Sequence, residues 1–142
     1  MLKKYDFTEP MSSDIIFIDE QSFNDIHYSV EEFSYRMKNA SNYCIYVKYI
    51  KSIPVGYIGL LEVQNPHYHG VWIDLIAVSK QYNNQNIAQN MIKSIVEKFN
   101  NKGINLFTAL VKETNKPSLK VFEKNQFKGE SACFKLLCLE KK

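Results

Sequence analysis

Apolar positions recur along the chain with two spacings, and the switches between them mark out its elements. Residues 2–7 read as a short strand. Ser12 and Ser13 stand where helix N-caps are favoured, and Ile15, Ile16, Ile18, Phe23 and Ile26 supply the apolar positions of the helix that follows. Ser29-Val30-Glu31-Glu32 has the form of a capping box, and Val30, Phe33 and Met37 give a second helix its buried stripe. Residues 43–50 and 55–63 predict two strands joined by the hairpin signal Lys51-Ser52-Ile53-Pro54. Asn65-Pro66-His67 breaks the chain, and residues 71–78 predict a third, strongly apolar strand.

After the polar stretch 79–86, apolar residues return at Ile87, Ala88, Met91, Ile92, Ile95, Val96 and Phe99. That is helical spacing over three turns, closed by Gly103 just past the end. Residues 104–111 predict a strand, and Asn115-Lys116-Pro117 opens a short helix with Asn as cap and Pro in the first turn. Residues 132–139 predict a last strand. The order is β-α-α-β-β-β-α-β-α-β. A meander followed by a strand–helix–strand crossover implies an α/β (α+β) domain, its mixed sheet covered by helices on both faces.

Composition narrows the class. The 142 residues fit one domain, 1–142, with no repeat, linker or composition break to divide it. Hydrophobic residues make up 45% and charged residues 23%, as in ordinary soluble proteins. A net charge of +3, carried by scattered lysines, does not make a nucleic-acid surface. No apolar run approaches the roughly 18 residues of a membrane span, and the first residues have no apolar core of a signal peptide. Cys44, Cys133 and Cys138 are an odd set without CxxC spacing, so neither a disulfide framework nor a zinc site is expected. These features predict a cytoplasmic protein. His67-x-His69 has no third ligand in view, so no metal is expected there. Core packing explains the nine tyrosines and nine phenylalanines better than a stacking platform does.

Chemistry concentrates in residues 72–88, a buried strand, a polar loop and the start of an amphipathic helix. Unpaired amides at a helix N-terminus attract anions, and a pyrophosphate is a natural occupant. An Asn-rich turn that merely caps the helix is the alternative. Asp74 lies within the apolar strand, and simple alternation puts it on one face with Trp72, Ile76 and Val78, opposite Ile73, Leu75 and Ala77. An acid there must find a partner, face a cleft or accept a raised pKa.

The layout resembles the GNAT superfamily of acyltransferases, whose signature loop reads roughly Arg/Gln-x-x-Gly-x-Gly/Ala. That pattern falls on Asn83, Asn86 and Ala88 within Asn83-Asn84-Gln85-Asn86-Ile87-Ala88, so only Ala88 matches outright. Asn is the next most tolerant residue after Gly where φ is positive. Lys80 or Lys93 could replace the missing arginine in part. A second match is the family's Asn-x-x-Ala, then Tyr four residues on, then Gly-Phe, which falls on Asn115, Ser118, Phe122, Gln126 and Phe127. Residues 15–33 also resemble, more weakly, the start of ribosomal-protein N-terminal acetyltransferases.

The resemblance implies a mostly antiparallel GNAT-type sheet and transfer of an acetyl group from acetyl-coenzyme A to a primary amine. The acceptor class spans a protein N-terminus, a small amine and an amino sugar. It implies that the loop, with Asn115, Ser118 and Phe122, binds the cofactor, and that backbone amides at Ile76, Ala77 and Val78 stabilise the oxyanion. Asp74 is the candidate base, with a structural carboxylate as the alternative; Glu20, Asp25, Glu31 and Glu32 are further acidic candidates near the first two helices. Phe122 occupies the place of the family's proton-donating tyrosine. A thiol of pKa near 8.5 still leaves tolerably as thiolate, but general acid catalysis is worth about 10²–10⁴-fold. A slow enzyme, or a substitute donor such as Cys133, Ser118 or water, is the consequence; for Cys133 the alternative is a small buried hydrophobe. A degenerate module that binds without catalysis is the other reading. Family dimers through edge strands make a homodimer possible.

Overall fold

Lys51 and Ser52 both hold positive φ, 50° and 67°, and form the two-residue turn that matches the twist of flanking strands. This turn pairs Ile50 with Ile53 and sets the register between β2 (Tyr43–Ile50) and β3 (Ile53–Gln64). The computed structural model describes residues 1–23, 28–83, 85–130 and 134–141. Around that hairpin stand β1 (Leu2–Lys4), β4 (His69–Val78) and β5 (Phe107–Ala109), in the order β1-β2-β3-β4-β5. Three pairings are antiparallel, and β4 with β5 is parallel, as the intervening helix requires.

Helices α1 (Glu9–Ser22) and α2 (Val30–Lys38) cover one face; α3 (Ile87–Asn100) and α4 (Lys116–Lys124) cover the other. Ile15, Ile18, Val47 and Tyr57 pack under α1, while Ile58, Leu60, Met91, Ile92 and Ile95 fill the layer under α3. Each buried aliphatic side chain of this kind contributes about 1.5–3 kcal/mol. The expected mixed sheet, helices on both faces and the hairpin are all present.

Three expectations need correction. The first concerns α1, which starts earlier than Ser12 and Ser13 suggest. Thr8 is its N-cap and accepts from the Met11 amide, with Pro10 in the first turn. Ser12 is fully buried inside the helix, where it donates to the Thr8 carbonyl at 2.9 Å and bonds Tyr5 Oη at 2.7 Å. A serine that can bond back within its own helix is compatible with either place, so the sequence alone did not separate them. Phe23 is the C-cap, and Ile26 lies outside the described residues.

The second correction is the length of β5. Only Phe107–Ala109 pair; Ile104 instead turns under α3, its amide donating to the Phe99 carbonyl at 3.1 Å. The third is the last strand. Residues 134–141 join no ladder, and Phe134, Leu136, Leu137 and Leu139 are 76–86% exposed. A strand exists only by pairing, and three residues of β5 offer little edge to pair with.

The α1 boundary is testable by urea denaturation. Thr8→Ala should cost about 1 kcal/mol, the value of a lost cap, whereas Ser13→Ala, at an exposed mid-helix position, should stay within about 0.5 kcal/mol. The opposite ranking would return the cap to the serines.

Candidate active site

The ladder between β3 and β4 slips once. Gly59 faces Leu75 and Leu60 faces Ile73, which leaves Asp74 as the extra residue of a β-bulge. The slip inverts the facing of the strand that follows. Val71 and Ile73 before it, and Ile76 and Val78 after it, all turn toward the α3 side, whereas Ala77 packs on the α1 side and Leu75 lines the cavity there. Simple alternation, which grouped Ile76 and Val78 with Asp74, therefore fails at this point.

The bulge also marks where β4 and β5 part. Their pairing covers Val71 to Ile73 only, so the outer edge of β4 is open beyond Asp74. Along it, the Val78 carbonyl accepts from Ser22 Oγ at 2.9 Å and so points away from β3. By two-residue alternation the polar groups of Ile76 point the same way. Ser79 donates its amide to the Val55 carbonyl at 2.9 Å, and Ala77, opposite Tyr57, shares that inward orientation. The Ile76 and Val78 amides thus face the open edge, and that of Ala77 does not.

Asp74 is exposed and accepts from Tyr43 Oη at 3.0 Å. Tyr43 reaches across β3 only because residue 59 is glycine, since a Cβ there would lie 2.2 Å from the tyrosine oxygen. Burial, then the charge and hydrogen bond of Asp74, pushes the Tyr43 phenol well above its usual range, so it stays a donor.

A second carboxylate lies on the same side, and the sequence reading did not single it out. Asp19, near the end of α1, is buried and accepts hydrogen bonds from Tyr57 and Tyr28. Burial raises its pKa, and the Tyr57 hydrogen bond opposes part of that rise. The signal was present in the spacing: Ser12, Ile15, Ile16 and Asp19 share one helical stripe. The other acidic candidates near these helices, Glu20, Glu31 and Glu32, are exposed, and Asp25 lies outside the described residues.

At the other end of β4, Ser79 leads through a 3₁₀ turn at Lys80–Tyr82 into α3. Asn86, the N-cap, adopts φ 60° and makes no side-chain cap bond, so the first amides of α3 lack that partner. Asn83, Gln85 and Lys80 are exposed, Ile87 is buried and Ala88 half-buried; Asn84 lies outside the described residues. On α4, Asn115 caps the helix by accepting from the Ser118 amide at 3.3 Å. Gln126 holds φ 69°. Phe122 is buried, its ring edge-on to Phe127 at 5.0 Å between centroids, in the core beneath α3. Cys133 lies outside the described residues. His69 pairs with Glu62 at 3.0 Å, and among the described residues no three of His, Cys, Asp and Glu gather as a metal site.

The profile of the acetyltransferase (GNAT) family matches residues 11–127. No curated protein matches the chain in sequence. The fold is similar to that of an aminoglycoside acetyltransferase from an uncultured soil metagenomic sample, solved with trehalose and with sisomicin. That likeness has TM-score 0.81 and 14% identity over 99% of this chain and 96% of the other. It is similar too to a ribosomal-protein-alanine N-acetyltransferase from Brucella melitensis biovar Abortus 2308, with TM-score 0.76 and 9% identity over 97% and 99% of the two chains. With the family profile covering most of the described fold, and β4 opening beside the start of α3, the chain belongs to the acetyltransferase (GNAT) family.

Proposed function

We propose that this chain transfers an acetyl group from acetyl-coenzyme A to a primary amine, as an N-acetyltransferase of the cytoplasm. The observation that carries the reading is the open edge of β4, with two free-facing amides, set beside a helix start whose N-cap adopts positive φ. Amides of Asn86, Ile87 and Ala88, with Asn83 and Gln85 around them, suit a pyrophosphate. Ile76 and Val78 amides suit the negative charge that grows on the thioester oxygen, and Ala77 contributes backbone shape rather than a hydrogen bond. Asp74, held by Tyr43, is the proposed base that takes the ammonium proton before the nitrogen attacks. Asn115 and Ser118 act by shaping the start of α4, and Phe122 by packing under it.

The acceptor class remains an amine of a small molecule, an amino sugar or a protein N-terminus; the two structural relatives act on an aminoglycoside and on ribosomal-protein alanine, by their names. No helix among the described residues is long and apolar enough to cross a membrane. The exposed apolar side chains of residues 134–141 support a homodimer, in which a second copy covers them. Two observations favour the second reading, a module that binds without turnover: Asn83 stands where a cation would hold phosphate, and Phe122 offers no proton. Titration with acetyl-coenzyme A, followed by thiol release across a panel of amines, separates the readings.

For binding, Asn83→Arg should tighten acetyl-coenzyme A by about 1–2 kcal/mol, the value of a charge-assisted hydrogen bond. No binding by wild type at millimolar ligand would sink the enzyme reading. For the base, Asp74→Asn should lower kcat with the melting temperature and cofactor affinity little changed. Gly59→Ala should lower kcat in the same direction, because its methyl group drives Tyr43 away from Asp74. Full activity in Asp74→Asn would remove that residue from the mechanism. For the missing acid, Phe122→Tyr should lower stability by about 1–3 kcal/mol, the cost of a buried hydroxyl without a partner. It should bring no gain in rate at any pH; a faster enzyme would show that the ring tip reaches the cleft.

A further inference from the structure

A cavity of about 330 Å³ lies between α1, α2 and the sheet. Its wall is largely aromatic, formed by Phe23, Tyr28, Phe33, Tyr43 and Tyr57. One carboxylate lines it, that of Asp19, which is only 4% exposed. Both oxygens accept from phenols, Oδ1 from Tyr57 and Oδ2 from Tyr28. Among the described residues no lysine, arginine or histidine forms an ion pair with it. Arg36 also borders the cavity, from an exposed position on α2.

Two phenols do not by themselves require a charge, since a neutral amide in place of the carboxylate would accept from one and donate its NH2 to the oxygen of the other. A full negative charge held in an apolar wall is costly unless a cation joins it. Aromatic faces and a carboxylate together select an ammonium group, through the ring quadrupole and the opposite charge. We propose, resting on the acetyltransferase reading, that this cavity seats the acceptor as its ammonium ion, with Asp19 as counter-ion and the aromatic wall around an aryl or alkyl body. The substrate class is then a small primary amine with an apolar chain. Tyr43 lines the cavity and donates to Asp74, so the seat and the proposed base are one side chain apart. Asp19 acts as a specificity residue: it holds the amine while it is protonated, and the nitrogen leaves that pairing to give its proton to Asp74 before it attacks, so no bond is made or broken at Asp19.

The experiment is calorimetric titration of the whole chain with phenethylamine and with its neutral counterpart 2-phenylethanol, with and without saturating coenzyme A. The amine should bind at least tenfold tighter than the alcohol, and Asp19→Asn should erase that preference while coenzyme A affinity holds. Burial raises the Asp19 pKa, so the folded chain loses stability as pH rises through that titration. Asp19→Asn removes the loss, and its melting temperature at neutral pH should be no lower than that of wild type. A second variant guards against misfolding. Phe23→Lys, at a partly exposed cavity position four residues from Asp19 at the C-cap of α1, supplies a resident ammonium and should also abolish amine binding. Equal affinity for amine and alcohol, or a preference that survives in both variants, overturns the seat. Wild type that fails to bind coenzyme A yet still prefers the amine would instead sink the acetyltransferase reading and leave the seat standing.

Discussion

The slip of one residue between Gly59 and Leu60 is the constraint on which the site depends. It makes Asp74 an extra residue, turns Ile76 and Val78 toward α3, and falls where β4 stops pairing with β5. Without it, β4 would continue in phase, and Leu75 and Ala77 would exchange faces with Ile76 and Val78. The core under α3 and the cavity under α1 both require the shifted phase. The glycine opposite serves the same end, because it clears the path by which Tyr43 reaches Asp74. One irregularity therefore sets the open edge, the two outward amides and the placement of a carboxylate.

Against this bent strand, α1 is held by polar as well as apolar contacts. Tyr5 bonds Ser12, Tyr49 donates to Asp14 at 2.8 Å, Tyr57 bonds Asp19, and Ser22 reaches the Val78 carbonyl. Tyrosine suits this role because its ring fills the layer while its hydroxyl satisfies a group on the helix. Tyr57 also carries a phenol pushed up by burial and by Asp19, so it keeps its proton and stays the donor to that carboxyl group. Such ties fix the orientation of α1 more narrowly than Ile15 and Ile18 could alone.

Much of the fold was legible because periodicity is local. The α3 stripe from Ile87 to Phe99, the Ser29 cap of α2 and the hairpin all follow from residues a few positions apart. What was not legible depends on partners distant in sequence. The bulge is a relation between β3 and β4, so counting along β4 alone put Asp74 on a face with Ile76. Gly59 inside a strand was the available hint, since glycine there often marks a bulge or a close approach. The strand expected at 132–139 had the right residues, but nothing in them says whether a neighbouring edge exists. Asp19 was hidden for a related reason. Helical spacing places it on the buried stripe, yet only the tyrosines of β3 and of the segment before α2 explain why a carboxylate is tolerated there.

The departures from the family pattern share a physical logic. Asn86 and Gln126 stand where the pattern has glycine, and both hold positive φ, 60° and 69°. The backbone conformation has thus been kept while the residue that makes it cheap has been lost. Asn tolerates the left-handed region well, and Gln less so, so the second position stores more strain than the first. Asn83 and Phe122 differ in kind, because there the lost group is a charge or a proton rather than a backbone freedom. On the proposed acetyltransferase reading, a chain that retains the bends and gives up the phosphate cation would hold acetyl-coenzyme A mainly through amides, whose geometry the bends themselves create. The burden of rate would then move from proton donation to placement, which on that reading the bulge, Tyr43 and the open edge of β4 would supply.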